Sequence, residues 1–207
     1  MNTRRTWTGW GNWWFYNKGY AITAILVLIA LISFIYGKVT EVKPDLSVAI
    51  VTNNVIPEEA AAQLEAALES VCEDYNHDGK VYVKIAGYGD PDADALGAES
   101  AAYKQASETE LIADISSCDS YLFVTDDPVY LQREYQILAN PDGSCPEDTD
   151  YSASGKTIPL TSLFSERDGI TNEFLKTCSI GRRCFYDEKT CKYIDDLQAL
   201  WNSLAAR

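Results

Sequence analysis

The chain has 207 residues, 46% of them hydrophobic, which suits one ordinary domain plus an anchor and excludes general disorder. Charge is unevenly placed: residues 1–36 carry Arg4, Arg5 and Lys18 and no acid, so the other 14 basic residues face all 31 acids, a formal balance of −17. Such a surface repels phosphate backbones and anionic lipid, which excludes nucleic acid as an expected partner. Charge that keeps an exposed domain soluble is the plainer account, and a site for cations or a basic partner is the sharper one.

Trp7, Trp10, Trp13 and Trp14 lead the chain into an apolar run, and residues 21–36 read AITAILVLIALISFIY, without charge, Pro or Gly. From Tyr20 the run is 17 residues, roughly 25 Å as a helix, at the short end for a span. Phe15 and Tyr16 lengthen it if Lys18 snorkels to the headgroups. The indoles form an aromatic belt, while Gly9 and Gly11 argue against a long amphipathic helix there. The following SFIYGK lacks the small-residue pattern of a cleavage site, so an uncleaved anchor is expected rather than a signal peptide. A purely basic flank stays inside. The expected organisation is a cytoplasmic arm at 1–19, a transmembrane helix at 20–36, a stalk at 37–44 and an extracytoplasmic domain at 45–207, held at the cell membrane.

Beyond the stalk the pattern becomes regular. Residues 46–51, LSVAIV, read as a buried strand, and Asn53 and Asn54 as the turn that ends it. Pro57, Glu58 and Glu59 open a helix whose core face is Ala61, Leu64, Leu68 and Val71. A second strand is expected at 80–85, a long helix at 98–116, and a third strand at 121–124. Asp126-Asp127-Pro128 caps a further helix running to about Ala139. Residues 140–156, rich in Pro, Gly, Asp and Ser, read as a long acidic loop. The tail offers a strand near 177–185 and a helix with Tyr193, Leu197, Leu200, Trp201 and Leu204 on one face. Alternating strands and helices predict the α/β class: a single three-layer domain with a mostly parallel sheet, preceded by one transmembrane helix.

Six cysteines, an even number in an external domain, point to disulfides. Cys72 ends the first helix and Cys118 precedes the third strand, so both fall at one sheet edge within bridging reach. Cys184 and Cys191 can close a small loop. Zinc is disfavoured, because the spacing lacks CxxC and His77 is the single histidine.

Asp74-Tyr75-Asn76-His77-Asp78-Gly79 matches the first half of a calcium loop, with Asp74, Asn76, Asp78 and the Lys80 carbonyl as oxygen donors. The twelfth position is Ile85 instead of Glu, so the motif is a half-site, or else a tight turn. Asp90, Asp92 and Asp94 read as a solvated loop. In open parallel sheets ligands lie beyond the carboxyl ends of strands. Those ends carry Asn53, Asn54, Tyr88, Asp126 and Asp127, each either a cleft residue or a turn and cap residue. Arg182 and Arg183 stand out as cations that hold an anion or pair with surface acids. No GxSxG elbow, Walker loop or GxGxxG is present, and a lone His77 in a turn disfavours a His-based triad.

The anchor, the segment DLSVAIVTNNVIPEEAAAQLEAALE, the stretch ETELIADISSCDSYLFVTDDPVYLQ and the tail IGRRCFYDEKTCKYIDDLQALWNSL together resemble a group of single-pass, membrane-anchored extracytoplasmic α/β proteins of bacteria. The resemblance implies an anchored external domain and brings no activity with it. The run ADISSCDSYLFVTDDPVYLQ is also similar to part of one lobe of an extracellular solute-binding protein, and no ligand residue is carried across from so short a likeness. The expected function is a membrane-tethered interaction or accessory module whose partner is another membrane or cell-surface protein. The alternative is a cell-surface domain binding a small ligand or calcium. An enzyme working through paired carboxylates ranks third.

Overall fold

The computed structural model describes residues 7–40, 43–52, 54–89, 98–185 and 193–206. It divides into two compact units, residues 1–42 and 43–207.

The first unit is one helix, α1 (Trp7–Thr40). It runs unbroken through Gly9, Gly11 and Gly19. A glycine costs a helix only about 1 kcal/mol against alanine, too little to end a helix with this much apolar sequence downstream. Within it, Trp13–Phe34 is long and apolar enough to cross a membrane: 22 residues with none of the most apolar stretch buried. Lys18 lies 5.5 Å from the centre of the Phe15 ring, its ammonium laid back along the helix.

The second unit is a mixed α/β domain around one five-stranded, mostly parallel sheet. Its elements are β1 (Leu46–Thr52), α2 (Glu58–Glu69), β2 (Val83–Gly89), α3 (Ala98–Ser117), β3 (Leu122–Thr125), α4 (Pro128–Tyr135), β4 (Thr157–Pro159), α5 (Leu160–Leu163), a 3-10 turn (Glu166–Asp168), α6 (Glu173–Thr177), β5 (Ser179–Arg182) and α7 (Ile194–Ala205). The strand order is β2-β1-β3-β5-β4. β1 pairs in parallel with both β2 and β3, whereas β5 is antiparallel to β3 and β4. Only β5 therefore runs against the others.

The central strands are apolar on both sides because both sides are covered. Val48, Ile50, Leu122 and Val124 share a cluster with Leu64 and Leu68 of α2 and Leu197 and Trp201 of α7. The alternate residues Ala49, Val51 and Phe123 belong to a second cluster with Leu111 of α3 and Leu131 of α4. Leu64 and Leu68 are fully buried, contributing about 2 kcal/mol each by area. α2 starts where the sequence indicates, with Pro57 at the cap and Glu58 and Glu59 in the first turn.

Two boundaries moved. The second strand starts at Val83 rather than residue 80, and ahead of it Tyr82 is held by Asp45. Its carboxylate accepts the Tyr82 N–H at 2.9 Å, and its own N–H donates to the Tyr82 carbonyl at 2.9 Å. α4 stops at Tyr135, short of Ala139, because Gln136 turns left-handed (φ 50°) and Leu138 then bridges to Arg183. β4, α5 and α6 were not anticipated; they are short and carry little periodicity.

Candidate functional site

The crossover through α2 covers one sheet face and the crossover through α3 the other, so the winding direction reverses between β1 and β3. A crevice forms beyond the strand ends at such a reversal. Here side chains bridge it. Thr52 Oγ1 donates to Asp126 Oδ2 at 2.8 Å, and Asn54 Nδ2 donates to the same oxygen at 3.1 Å. Asp126 Oδ1 is buried with no hydrogen-bond partner among the described residues. The nearby Cys178 thiol is pushed up to about 12, first by burial and then by the Asp126 charge.

Of the strand-end residues singled out from sequence, Asn54 and Asp126 meet in this bridge. Asp127 is the cap of α4: its Oδ1 accepts the Tyr130 N–H at 2.9 Å. Asn53 lies outside the described residues. Tyr88 stands apart and lines an open cleft on the α3–α4 side. That cleft is shallow and walled by Thr52, Tyr88, Glu108, Leu111, Tyr130 and Tyr135, among others.

The cleft is built from phenols. Tyr88 donates from its hydroxyl to Asp114 Oδ2 at 2.8 Å. Asp114 is buried and also accepts from the Ser120 hydroxyl at 2.6 Å and the Ser120 N–H at 3.0 Å. Burial first, and the Asp114 bond and charge second, push the Tyr88 phenol well above its ordinary value. Tyr135 is raised the same way, by burial and then by Tyr130, with the two rings packed edge to face at 6.3 Å. Tyr88 and Tyr135 are therefore neutral at physiological pH and offer hydrogen bonds without nucleophilic character. Thr52, Tyr130, Tyr135 and Asp114 escaped sequence reasoning. The available signal for Asp114 was a carboxylate three residues after Leu111, on the helix's apolar stripe.

The two arginines are not surface cations. Both are buried, and their bonds run to main-chain carbonyls. Arg183 donates to Ser120 O at 2.7 Å and to Ile115 O at 2.8 Å, the latter in the last turn of α3, where carbonyls lack helical partners. Arg182 donates to Pro141 O at 3.2 Å and lies over the Trp201 ring.

The loop at 74–80 closes on itself. Asp74 accepts the N–H groups of Asp78 (3.1 Å) and Gly79 (2.8 Å), Asn76 Oδ1 accepts Asp78 N–H (2.8 Å), and Asp78 Oδ1 accepts Lys80 N–H (3.0 Å). His77 and Gly79 take the positive φ angles, 58° and 86°, that the turn requires. Among the described residues no group of three or more His, Cys, Asp or Glu side chains is placed to hold a metal ion. Asp90, Asp92 and Asp94 lie outside the described residues.

The described cysteines, Cys72, Cys118, Cys145, Cys178 and Cys184, are free thiols. The expected bridge between Cys72 and Cys118 is absent because their helices pack on opposite sheet faces: Cys72 belongs to the α2–α7 cluster, while α3, which Cys118 follows, contributes to the other. Burial pushes the Cys72 thiol up to about 11. Cys191, the expected partner of Cys184, lies outside the described residues.

Comparison with known proteins gives no match: no family model, no curated protein and no solved structure aligns with this chain.

Proposed function

We propose that the chain is a membrane-tethered interaction or accessory module, a three-layer α/β domain held outside the cell membrane by α1 and working through another membrane or cell-surface protein. The observation that carries this reading is the pairing of the unburied apolar span Trp13–Phe34 with an acidic domain that follows it. The basic residues before the span give the orientation, N-terminus in and domain out. Val55 and Val129, which follow the carboxyl ends of β1 and β3, are large exposed apolar side chains at the edge where a partner would dock. Protease added to intact cells should remove the domain and spare the N-terminal arm; a fully protected domain reverses the topology. Full-length protein gently extracted from membranes should carry a stoichiometric membrane-protein partner, and its recovery alone counts against the module reading.

A second reading, a cell-surface small-ligand domain, is favoured by the Tyr88–Tyr130–Tyr135 cleft, whose phenols offer hydrogen bonds at an open surface. Calcium at Asp74–Lys80 is the ionic form of the same reading. A melting-temperature screen of small polar ligands and of millimolar calcium tests both. A ligand shift abolished by Tyr130→Phe with Tyr135→Phe places the ligand in the cleft, and no shift with any addition removes this reading.

A further inference from the structure

The loop after α4 is laid against the end of β5 by main-chain bonds. Cys184 N–H donates to Ile137 O at 2.8 Å, and Ala139 N–H donates to Arg182 O at 2.9 Å. The chain then reverses in a tight turn: Gly143 N–H donates to Asn140 O at 2.8 Å and Asn140 N–H to Ser144 O at 3.0 Å. This reversal returns Cys145 onto Cys184, with Cys145 Sγ 2.9 Å from the Cys184 carbonyl oxygen. Cys184 Sγ in turn faces Gln136 O at 3.4 Å. Two segments 39 positions apart thus bring exposed Cys145 onto the main chain of buried Cys184, close enough for the two thiols to interact.

We propose that Cys145 and Cys184 are a redox pair, and that a disulfide between them staples the 140–156 loop to the end of β5. The oxidising setting rests on the extracytoplasmic reading above; the pairing itself rests only on the geometry. The co-reactant is a small disulfide or a disulfide-carrying oxidoreductase. Exposed Cys145, as thiolate, attacks it to form a mixed disulfide and releases one thiol. Cys184 then gives up its proton and displaces the second thiol, closing the Cys145–Cys184 bond. Two cysteine thiols lose two electrons and two protons, and the disulfide reagent gains both. The order follows from access: burial, and then the neighbouring Cys145 thiol, push Cys184 up to about 12, so it is the poorer first nucleophile. Closing a loop of this length is expected to raise the melting temperature on the order of 5–10 °C.

The test uses full-length protein in detergent, equilibrated with reduced and oxidised glutathione, alkylated and digested with trypsin. The expected product is peptide 134–156 linked to peptide 184–189, together with a redox-dependent melting temperature in the wild-type chain. Cys145→Ser should abolish the linked peptide and the shift while leaving the reduced melting temperature in place. Peptide 184–189 linked to 190–192 instead, or both thiols alkylated at oxidising poise, overturns the pairing. Glutathione exchange in detergent is independent of cell compartment, so a failure of the topology in the protease experiment leaves this result standing, and the reverse also holds.

Discussion

Arg183 shows what a single buried cation does in this fold. Its guanidinium meets two carbonyls, one in the last turn of α3 and one at Ser120, and lies between the Phe123 and Phe185 rings. Arg183→Met keeps the stem and removes the donors, leaving those carbonyls unmet. The expected loss is about 2–4 kcal/mol in urea unfolding, and a loss under half a kilocalorie would mean water replaces the guanidinium. Asp150 gives a pH-dependent counterpart. Its carboxyl is held below the usual 3.8, first by the Lys156 ammonium at 2.8 Å and then by the Ser152 N–H. A lowered carboxylate pKa means that the unfolded chain takes up the proton more readily. The contribution is therefore full above the unfolded value and fades as pH falls through the folded one. Asp150→Asn should flatten the acid limb of urea midpoint against pH below about pH 4; an unchanged limb refutes the link. Sequence could flag Arg183 as charged but not as buried, since its contacts join positions brought together only by the fold, whereas Asp150 and Lys156 lie in one loop and it is the burial of Lys156 that the sequence hid.

At the scale of elements, the loop of residues 140–156 depends on Gly143. Its φ is +90°, and a Cβ there would sit 2.6 Å from Arg182 Nη2. Gly143→Ala should cost about 1–3 kcal/mol. Gly169 is a built-in control, with φ +91° and nothing within 4 Å. The excess of the first substitution over Gly169→Ala measures displacement of Arg182, and equal losses would assign the whole cost to backbone strain. The strand–helix alternation was legible because LSVAIV, YLFV and the EEAAAQLEAALE stripe each carry a strong period. The direction of β5 was not, because antiparallel placement is set by pairing of Leu122 with Arg182 and Val124 with Ile180, distant in sequence. The opposite placement of α2 and α3 was also hidden, and with it the separation of Cys72 from Cys118. At the strand ends, Asn54, Tyr88 and Asp126 were legible from topology alone, while Tyr130 and Tyr135 join the cleft only through the path of α4 across the second core.

At the scale of the molecule, the apolar helix and the domain make separate demands on the sequence. If α1 spans a bilayer, Leu28→Arg with Ile29→Arg places two cations near its middle, at about 3 kcal/mol each on insertion scales. Carbonate extraction should then find the chain in the soluble fraction, and retention in the pellet would mean that something other than the span holds it.

Confinement to a surface by such a span would bear on the margins of the sheet. Copies tethered in that way would meet again and again in nearly one orientation, so an open strand edge would be a standing invitation to pair. Along one margin, β4 is three residues long and closes on Pro159, which has no N–H to offer. Along the other, β2 carries exposed Lys84, so two such edges repel on approach. Crowding at a surface would thus leave the copies as neighbours, each with its own five strands and none donated.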